Sequence, residues 1–175
     1  MKLNVRVLWL IVLFLLPGYL LRSQEMELNK VIIDSTLNEE ILFGYCDRSG
    51  LEGAVFGKVF REYYDIYEPD KGVLGQIKSK LDSVSIMIVM GTWCSDSEEQ
   101  VPKFLKVLDK VRFDGKSLTI ICVNKEKEAG EIDLKKYDIQ RVPTFIIFKG
   151  DKEVGRIIET PIMTLEKDLL LLLEG

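Results

Sequence analysis

The sequence predicts an α/β fold in which a mixed sheet of four strands is flanked by helices, over residues 71–175. Two continuous apolar runs, Val84–Met90 and Leu118–Val123, are typical of strands that are buried on both faces. Segments with apolar residues at helical spacing alternate with these runs, and a strand, a turn and a second strand follow near the C-terminus. Alternation of helices with buried strands indicates the α/β class.

The elements of this region follow one another in a fixed order: helix, strand, helix, strand, helix, strand, strand, helix. In chain order they are a helix at 73–81, a strand at 84–90, a turn at 91–97 leading into a helix with Val101, Phe104, Leu105, Leu108 and Val111 on one face, a strand at 118–123, a short helix at 134–137, strands at 145–148 and 153–158, and a helix at 165–173. Thr164 can cap the last helix, because a threonine hydroxyl accepts a hydrogen bond from a free N–H of the first turn.

Residues 24–70 form an N-terminal extension that matches no recognisable module. Short β-like runs occur at 31–33 and 41–43, and helical spacing of apolar residues then predicts a helix over about 49–67, ended by Pro69. The predicted organisation is therefore a signal peptide at 1–23, a mainly helical extension of unknown role at 24–70, and the α/β domain at 71–175.

The first 23 residues have the layout of a secretory signal. They contain three basic and no acidic residues, and the uncharged stretch 7–21 is broken by Pro17-Gly18. We expect export, with cleavage after Ser23. The alternative is a retained membrane anchor, but fifteen uncharged residues are fewer than the roughly 20 that span a bilayer. No membrane span is predicted for the mature chain.

The composition excludes several kinds of function. The chain has no histidine, which excludes Ser-His-Asp hydrolases, Cys-His proteases and histidine-built zinc sites. Its three cysteines, Cys46, Cys94 and Cys122, lie at unrelated spacings and do not form a four-thiolate zinc site. With 24 basic and 28 acidic residues and a net charge of −4, nucleic acid is not an expected partner. The sequence predicts neither a metal nor another cofactor.

Three short motifs occur together in the α/β region. Trp93-Cys94 lies at a predicted strand-to-helix turn, Pro102 follows Cys94 by eight positions, and Val142-Pro143-Thr144 precedes the predicted hairpin. In this order the motifs resemble the thioredoxin fold, and in particular exported bacterial thioredoxin-like proteins with one motif cysteine. The resemblance implies a periplasmic location, a cis-proline at Pro143 facing Cys94, and thiol–disulfide exchange at Cys94.

The sequence departs from the thioredoxin pattern at three positions. Ser97 replaces the second motif cysteine, which gives Cys-x-x-Ser, and Ile88 stands where thioredoxins carry a buried acid. Glu159 stands where the family has a glycine after the hairpin. By the resemblance, Trp93, Asp96, Arg141, Val142 and Glu159 would line the groove that binds the substrate peptide.

The position of Cys94 at a helix N-terminus favours the thiolate form without a histidine, because free backbone N–H groups and the helix dipole stabilise negative charge there. Acidic residues of the same turn, Asp96 among them, oppose this effect. We therefore expect moderate activation of Cys94, helped by a hydrogen bond from the Ser97 hydroxyl and by the charge of Arg141.

The two other cysteines have different predicted roles. Cys122 lies inside an apolar strand and is expected to be a core residue. Cys46 lies at the edge of an element in the extension, where it could be a resolving thiol if the extension folds over Cys94. This second role depends on the two sulfur atoms coming within bonding reach of each other.

Two function classes follow from these residues. The first is an exported thiol–disulfide oxidoreductase that acts on protein or peptide thiols and disulfides through a mixed disulfide at Cys94, with a partner reductase, a small thiol or Cys46 as the resolving group. The second is a redox-inactive thioredoxin-fold protein that binds peptides or acts like a chaperone. Trp93-Cys94 and Pro143 favour the first, and Ser97 and Ile88 favour the second.

Overall fold

A computed structural model describes residues 27–175 of the chain. The predicted signal peptide at 1–23 lies outside the described residues. Within residues 27–175, no helix has both the length and the apolar character needed to cross a membrane.

Six strands of the described region form one sheet in the order β1-β2-β4-β3-β5-β6. The strands are β1 (Lys30–Asp34), β2 (Glu39–Cys46), β3 (Val84–Met90), β4 (Leu118–Cys122), β5 (Thr144–Lys149) and β6 (Lys152–Ile158). Strands β3 and β4 are parallel, and every other neighbouring pair in this sheet is antiparallel. The sheet is therefore mixed, as the sequence predicted.

Five α-helices between residues 27 and 175 accompany the sheet. They are α1 (Arg48–Leu51), α2 (Gly57–Ile66), α3 (Lys71–Lys78), α4 (Ser95–Val111) and α5 (Leu165–Glu174), with short 3-10 turns at Gly115–Ser117 and Lys135–Tyr137. Helix α4 connects the parallel strands β3 and β4, and α5 follows the β5–β6 hairpin. This arrangement around β4-β3-β5-β6 is the thioredoxin fold, so the predicted fold class is confirmed.

The N-terminal extension adds two strands to the four that were predicted. Its β1–β2 hairpin joins the sheet through antiparallel pairing of Gly44–Cys46 with Ile120–Cys122. The helix expected over about 49–67 is divided into α1 and α2. The chain turns between them, and at Gly57 it passes so close to the Glu52 carbonyl oxygen that a Cβ atom would lie 2.2 Å from it.

The core has a layer on each face of the sheet. On one face α4 and α5 cover the strands, and the rings of Phe104 and Phe145 lie 4.5 Å apart between centroids. Burial of such apolar surface stabilises the fold by roughly 25 cal/mol per Å². On the other face, a smaller cluster around Val89, Ile121 and Val142 is covered by the irregular segment 123–143. The end of β3 is buried beside this segment, and partial exposure begins beyond it, at Trp93 and Cys94.

Candidate functional site

The turn between β3 and α4 places Cys94 immediately before the first residue of the helix. Cys94 is the N-cap residue of α4, with extended backbone angles, and its N–H donates to the Gly91 carbonyl at 3.0 Å. The side chain makes no cap hydrogen bond to the helix and is partly exposed. The free N–H groups of the first turn of this 17-residue helix therefore follow directly after Cys94 in the chain.

The Cys94 thiol contacts the segment that precedes β5. Its Sγ donates to the Val142 carbonyl oxygen at 3.2 Å, and the Val142–Pro143 peptide bond is cis. Val142 and Pro143 are themselves buried. The structure thus brings Cys94 together with the Val142-Pro143 pair, which lies 48 residues further along the chain.

Arg141 and Glu159 lie beside the same segment and are paired with each other. Arg141 Nη1 donates to Glu159 Oε2 at 2.7 Å, and the Glu159 N–H donates to the Pro143 carbonyl at 2.7 Å. The hydrogen bond and the charge of Glu159 raise the pKa of Arg141. The expected pairing of Arg141 with Cys94 is therefore wrong for this structure, because the guanidinium is directed at Glu159 and the thiol at Val142.

Ser97 occupies the position of the missing second cysteine, but its side chain points into the protein. Its exposure is 0%, and its Oγ accepts the Gly91 N–H at 3.3 Å. The expected hydrogen bond from Ser97 to Cys94 is thus replaced by a bond that fastens the end of β3 to α4. Asp96 lies in the same first turn, two residues after Cys94, and its side chain is partly exposed.

Trp93, next to Cys94, is held by contacts with Val123, Gly91 and Lys125. Its Nε1 donates to the Val123 carbonyl at 2.9 Å, and its ring packs so closely on Gly91 that a Cβ atom there would lie 2.5 Å from it. The Lys125 ammonium lies 4.3 Å from the centroid of the indole. Sequence reasoning missed Lys125, because the charge run that contains it is typical of a solvated turn.

Cys46 is close to Cys122 and not to Cys94. Both residues are buried, at 6% and 0% exposure, in the core layer that α4 covers, whereas Cys94 packs against the cluster on the opposite face. A hydrogen bond with the Cys46 thiol, together with burial, raises the pKa of Cys122 well above its usual range. Cys122 is thus a core residue as predicted, and the structure does not bring Cys46 within reach of Cys94.

The arrangement offers one partly exposed thiol at a helix N-terminus, next to buried backbone of the Val142-Pro143 segment. Within residues 27–175, no group of three or more histidine, cysteine or acidic side chains is placed to hold a metal ion. The contacts above join five of the predicted site residues: Cys94, Val142, Pro143, Arg141 and Glu159. Trp93 is the chain neighbour of Cys94 and contacts Val123, Gly91 and Lys125, while Cys46 and the Ser97 hydroxyl are directed elsewhere.

Comparisons with known proteins give similarities to solved structures. No protein-family model matches the chain, and no curated protein matches it. A protein of unknown function from Pseudomonas aeruginosa is similar at 13% identity and a TM-score of 0.40, over 70% of this chain and 99% of that one. A thioredoxin mutant from Entamoeba histolytica is similar at 22% identity and a TM-score of 0.37, over 58% and 91% of the two chains.

A thioredoxin pre-protein from Schistosoma mansoni is similar at 25% identity and a TM-score of 0.33, over 48% of this chain and 77% of that one. Because these TM-scores are low, the fold is assigned from the chain's own strand order and helix placement.

Proposed function

We propose that the protein is a thiol–disulfide oxidoreductase of the thioredoxin type that acts through a mixed disulfide at Cys94. The observation that carries the proposal is the partly exposed Cys94 thiol at the N-terminus of α4, 3.2 Å from the Val142 carbonyl beside Pro143. A helix N-terminus favours the thiolate, which is the nucleophile in thiol–disulfide exchange.

The reaction is an exchange of sulfur–sulfur bonds. The Cys94 thiolate attacks one sulfur of a substrate disulfide, a bond forms between Cys94 Sγ and that sulfur, and the other substrate sulfur leaves as a thiolate that takes up a proton from water. A donor thiolate then attacks the Cys94 sulfur of the mixed disulfide and releases the second substrate sulfur as a thiolate. A second donor thiolate attacks the donor sulfur of the resulting Cys94–donor disulfide, which frees the Cys94 thiolate and leaves the donor as a disulfide. Each cycle reduces one substrate disulfide and consumes two thiols of the electron donor.

The second thiol comes from outside the chain. Ser97 has no sulfur, and the thiols of Cys46 and Cys122 are buried on the opposite face of the sheet from the cluster that Cys94 contacts. A small thiol or a partner reductase therefore resolves the mixed disulfide. The proposed cycle therefore uses only one thiol of the chain, that of Cys94.

The substrate in this proposal is a peptide or protein segment in extended conformation. Strand addition beside the segment around Pro143 would align a substrate cysteine with Cys94. Trp93, Asp96, Arg141 and Glu159 would then contact the flanking substrate residues. The exposed side of the Arg141–Glu159 pair presents both charges to such a peptide, since 67% of the Arg141 side chain is accessible.

Export to the periplasm is part of the same proposal. The basic and apolar pattern of residues 1–23 supports it, and an oxidising compartment would supply disulfides as substrates.

A peptide-binding protein without turnover is the second candidate. The buried Ser97 hydroxyl favours it, because the position of the resolving cysteine has been taken over by a structural hydrogen bond to Gly91. In that case the groove beside Pro143 would bind thiol peptides, and Cys94 would not be needed for turnover.

Reduction of insulin, with glutathione or dithiothreitol as the electron donor, tests the proposal. The full chain is compared with Cys94→Ser, and Cys46→Ser serves as a control because this buried thiol has no part in the proposed cycle. We expect Cys94→Ser to reduce the catalysed rate to background and Cys46→Ser to retain it. Equal, near-background rates for wild type and Cys94→Ser would reject the oxidoreductase in favour of the binding protein.

A further inference from the structure

We infer that the N-terminal hairpin β1–β2 is a positioning element for the Trp93-Cys94 turn, with Asp34 and Thr92 as its positioning residues. This inference builds on the function proposed at Cys94 and extends the site to part of the chain that the thioredoxin pattern does not include. Two separate contacts carry it, one on each side of the turn.

The first contact is made where β2 runs past the end of β4. The pairing of β2 with β4 ends at Gly44 opposite Cys122, so the N–H groups of earlier β2 residues have no strand partner on that side. The Leu42 N–H instead donates to Thr92 Oγ1 at 3.2 Å, in a buried position. Thr92 is 8% exposed and directly precedes Trp93. Strand β2 is therefore anchored to the turn that carries the thiol.

The second contact is made at the end of β1. The Asp34 carboxylate is 3% exposed and accepts three backbone N–H groups, from Thr36 at 2.8 Å, Leu37 at 2.9 Å and Lys125 at 3.1 Å. These hydrogen bonds, that of Leu37 foremost, lower the pKa of Asp34 and keep it ionised. One carboxylate thus ties the hairpin turn to the loop after β4.

The tie to Lys125 reaches Trp93. The Lys125 ammonium covers one face of the indole at 4.3 Å from its centroid, and Trp93 Nε1 bonds to Val123, two residues before Lys125. A second bond, from Thr36 Oγ1 to the Glu126 carboxylate at 2.8 Å, holds the same loop. The hairpin therefore fixes the loop that holds Trp93 on one side, while Thr92 fixes the turn itself on the other.

The consequence is geometric. A thiol exchange needs three sulfur atoms in line, so small displacements of the attacking sulfur slow it strongly. Asp34 and Thr92 contact neither the substrate nor the Cys94 sulfur. They act through Trp93 and the turn, and their loss is expected to change the rate of exchange more than the stability of the fold.

Two isosteric substitutions remove these hydrogen bonds while the size of the side chain stays the same. In Asp34→Asn the amide oxygen can still accept from Thr36 and Leu37, while the NH₂ group can no longer accept from Lys125. Thr92→Val removes the acceptor for Leu42, and Thr92→Ser restores a hydroxyl. Asp47→Asn is the matched control, because Asp47 is also a turn carboxylate of the extension but binds only Asn29, Ser49 and Gly50.

The first measurement is the rate of Cys94 exchange with a small disulfide, 2,2′-dipyridyl disulfide, in the full chain. We expect Asp34→Asn and Thr92→Val to lower the rate about three- to tenfold, and Thr92→Ser and Asp47→Asn to stay within about twofold of wild type. Rates of all four variants within twofold of wild type would overturn the inference.

The second measurement is independent of thiol chemistry. In a Trp9→Phe background, Trp93 is the remaining tryptophan of the chain and reports its own surroundings. Acrylamide should quench its fluorescence more strongly in Asp34→Asn and Thr92→Val than in Asp47→Asn. If wild type shows no exchange above Cys94→Ser, the proposed function fails, and the quenching alone decides the positioning: equal quenching in all variants rejects it.

Discussion

Gly91→Ala directly perturbs the packing of the Trp93 ring on Gly91. A Cβ atom at this position would lie 2.5 Å from Cε2 and 2.6 Å from Nε1 of the indole, so the ring has to move. Movement breaks the hydrogen bond from Nε1 to Val123, which is worth about 0.5–1.5 kcal/mol net, and the contact with Lys125, worth about 0.5–1 kcal/mol. We expect a destabilisation of about 1–2.5 kcal/mol.

Gly75→Ala is the matched control, because Gly75 is exposed within α3 and a Cβ atom added there would meet no other atom within 4 Å. Alanine should stabilise that helix by about 0.5–1 kcal/mol. Urea denaturation measures the stability of both variants, and we expect the midpoint of Gly91→Ala to fall by about 0.5–1 M. A Gly91→Ala midpoint equal to wild type, with unchanged Trp93 emission, would refute the close packing of Trp93 on Gly91.

Three further predictions concern single groups. Iodoacetamide should alkylate one cysteine of the folded protein, Cys94, and all three in denaturant; modification of a second cysteine under native conditions, measured by mass spectrometry, would contradict the burial. Lys125→Met should slow exchange with the anionic reagent 5,5′-dithiobis(2-nitrobenzoate) about two- to fivefold more than exchange with the neutral dipyridyl disulfide, and an unchanged ratio of the two rates would remove Lys125 from the site. Burial raises the pKa of Glu166, but hydrogen bonds from Tyr67 at 2.6 Å and from the Asp70 N–H at 3.1 Å outweigh this and lower it overall. The stability that the ionised Glu166 contributes is therefore present above its unfolded pKa, near 4.3, and is lost as the pH falls through the lowered folded value. The free energies of unfolding of wild type and Glu166→Gln, measured by denaturation, should converge at acidic pH. A constant difference between them from pH 7 to pH 3 would contradict this.

The strands and helices of residues 71–175 could be predicted because their signals are local. The apolar runs that became β3 and β4, and the apolar face of α4, need only periodicity to be recognised. The β-like runs at 31–33 and 41–43 also became strands, but nothing local showed that β2 would pair with β4. Strand partners depend on long-range packing, which a single sequence does not encode in any short pattern.

The partners of the site side chains could not be predicted for the same reason. Arg141 and Glu159 were expected near Cys94, and their pairing with each other follows from the way in which β6 returns beside Pro143. The bonds of Thr92 and Asp34 join residues 50 and 91 positions apart, so neither residue stands out in the sequence. Ser97 was recognisable as a replaced cysteine, but its inward orientation depends on the free Gly91 N–H at the end of β3.

Trapping the covalent intermediate shows whether Cys94 forms the mixed disulfide with a substrate. The full chain is mixed with one equivalent of a disulfide-bonded peptide, quenched with acid, and analysed by non-reducing mass spectrometry after digestion. We expect a single peptide adduct at Cys94, which persists until a small thiol is added and is absent from Cys94→Ser. An adduct at Cys46 or Cys122, release of the peptide through an internal disulfide, or no adduct at all would contradict it.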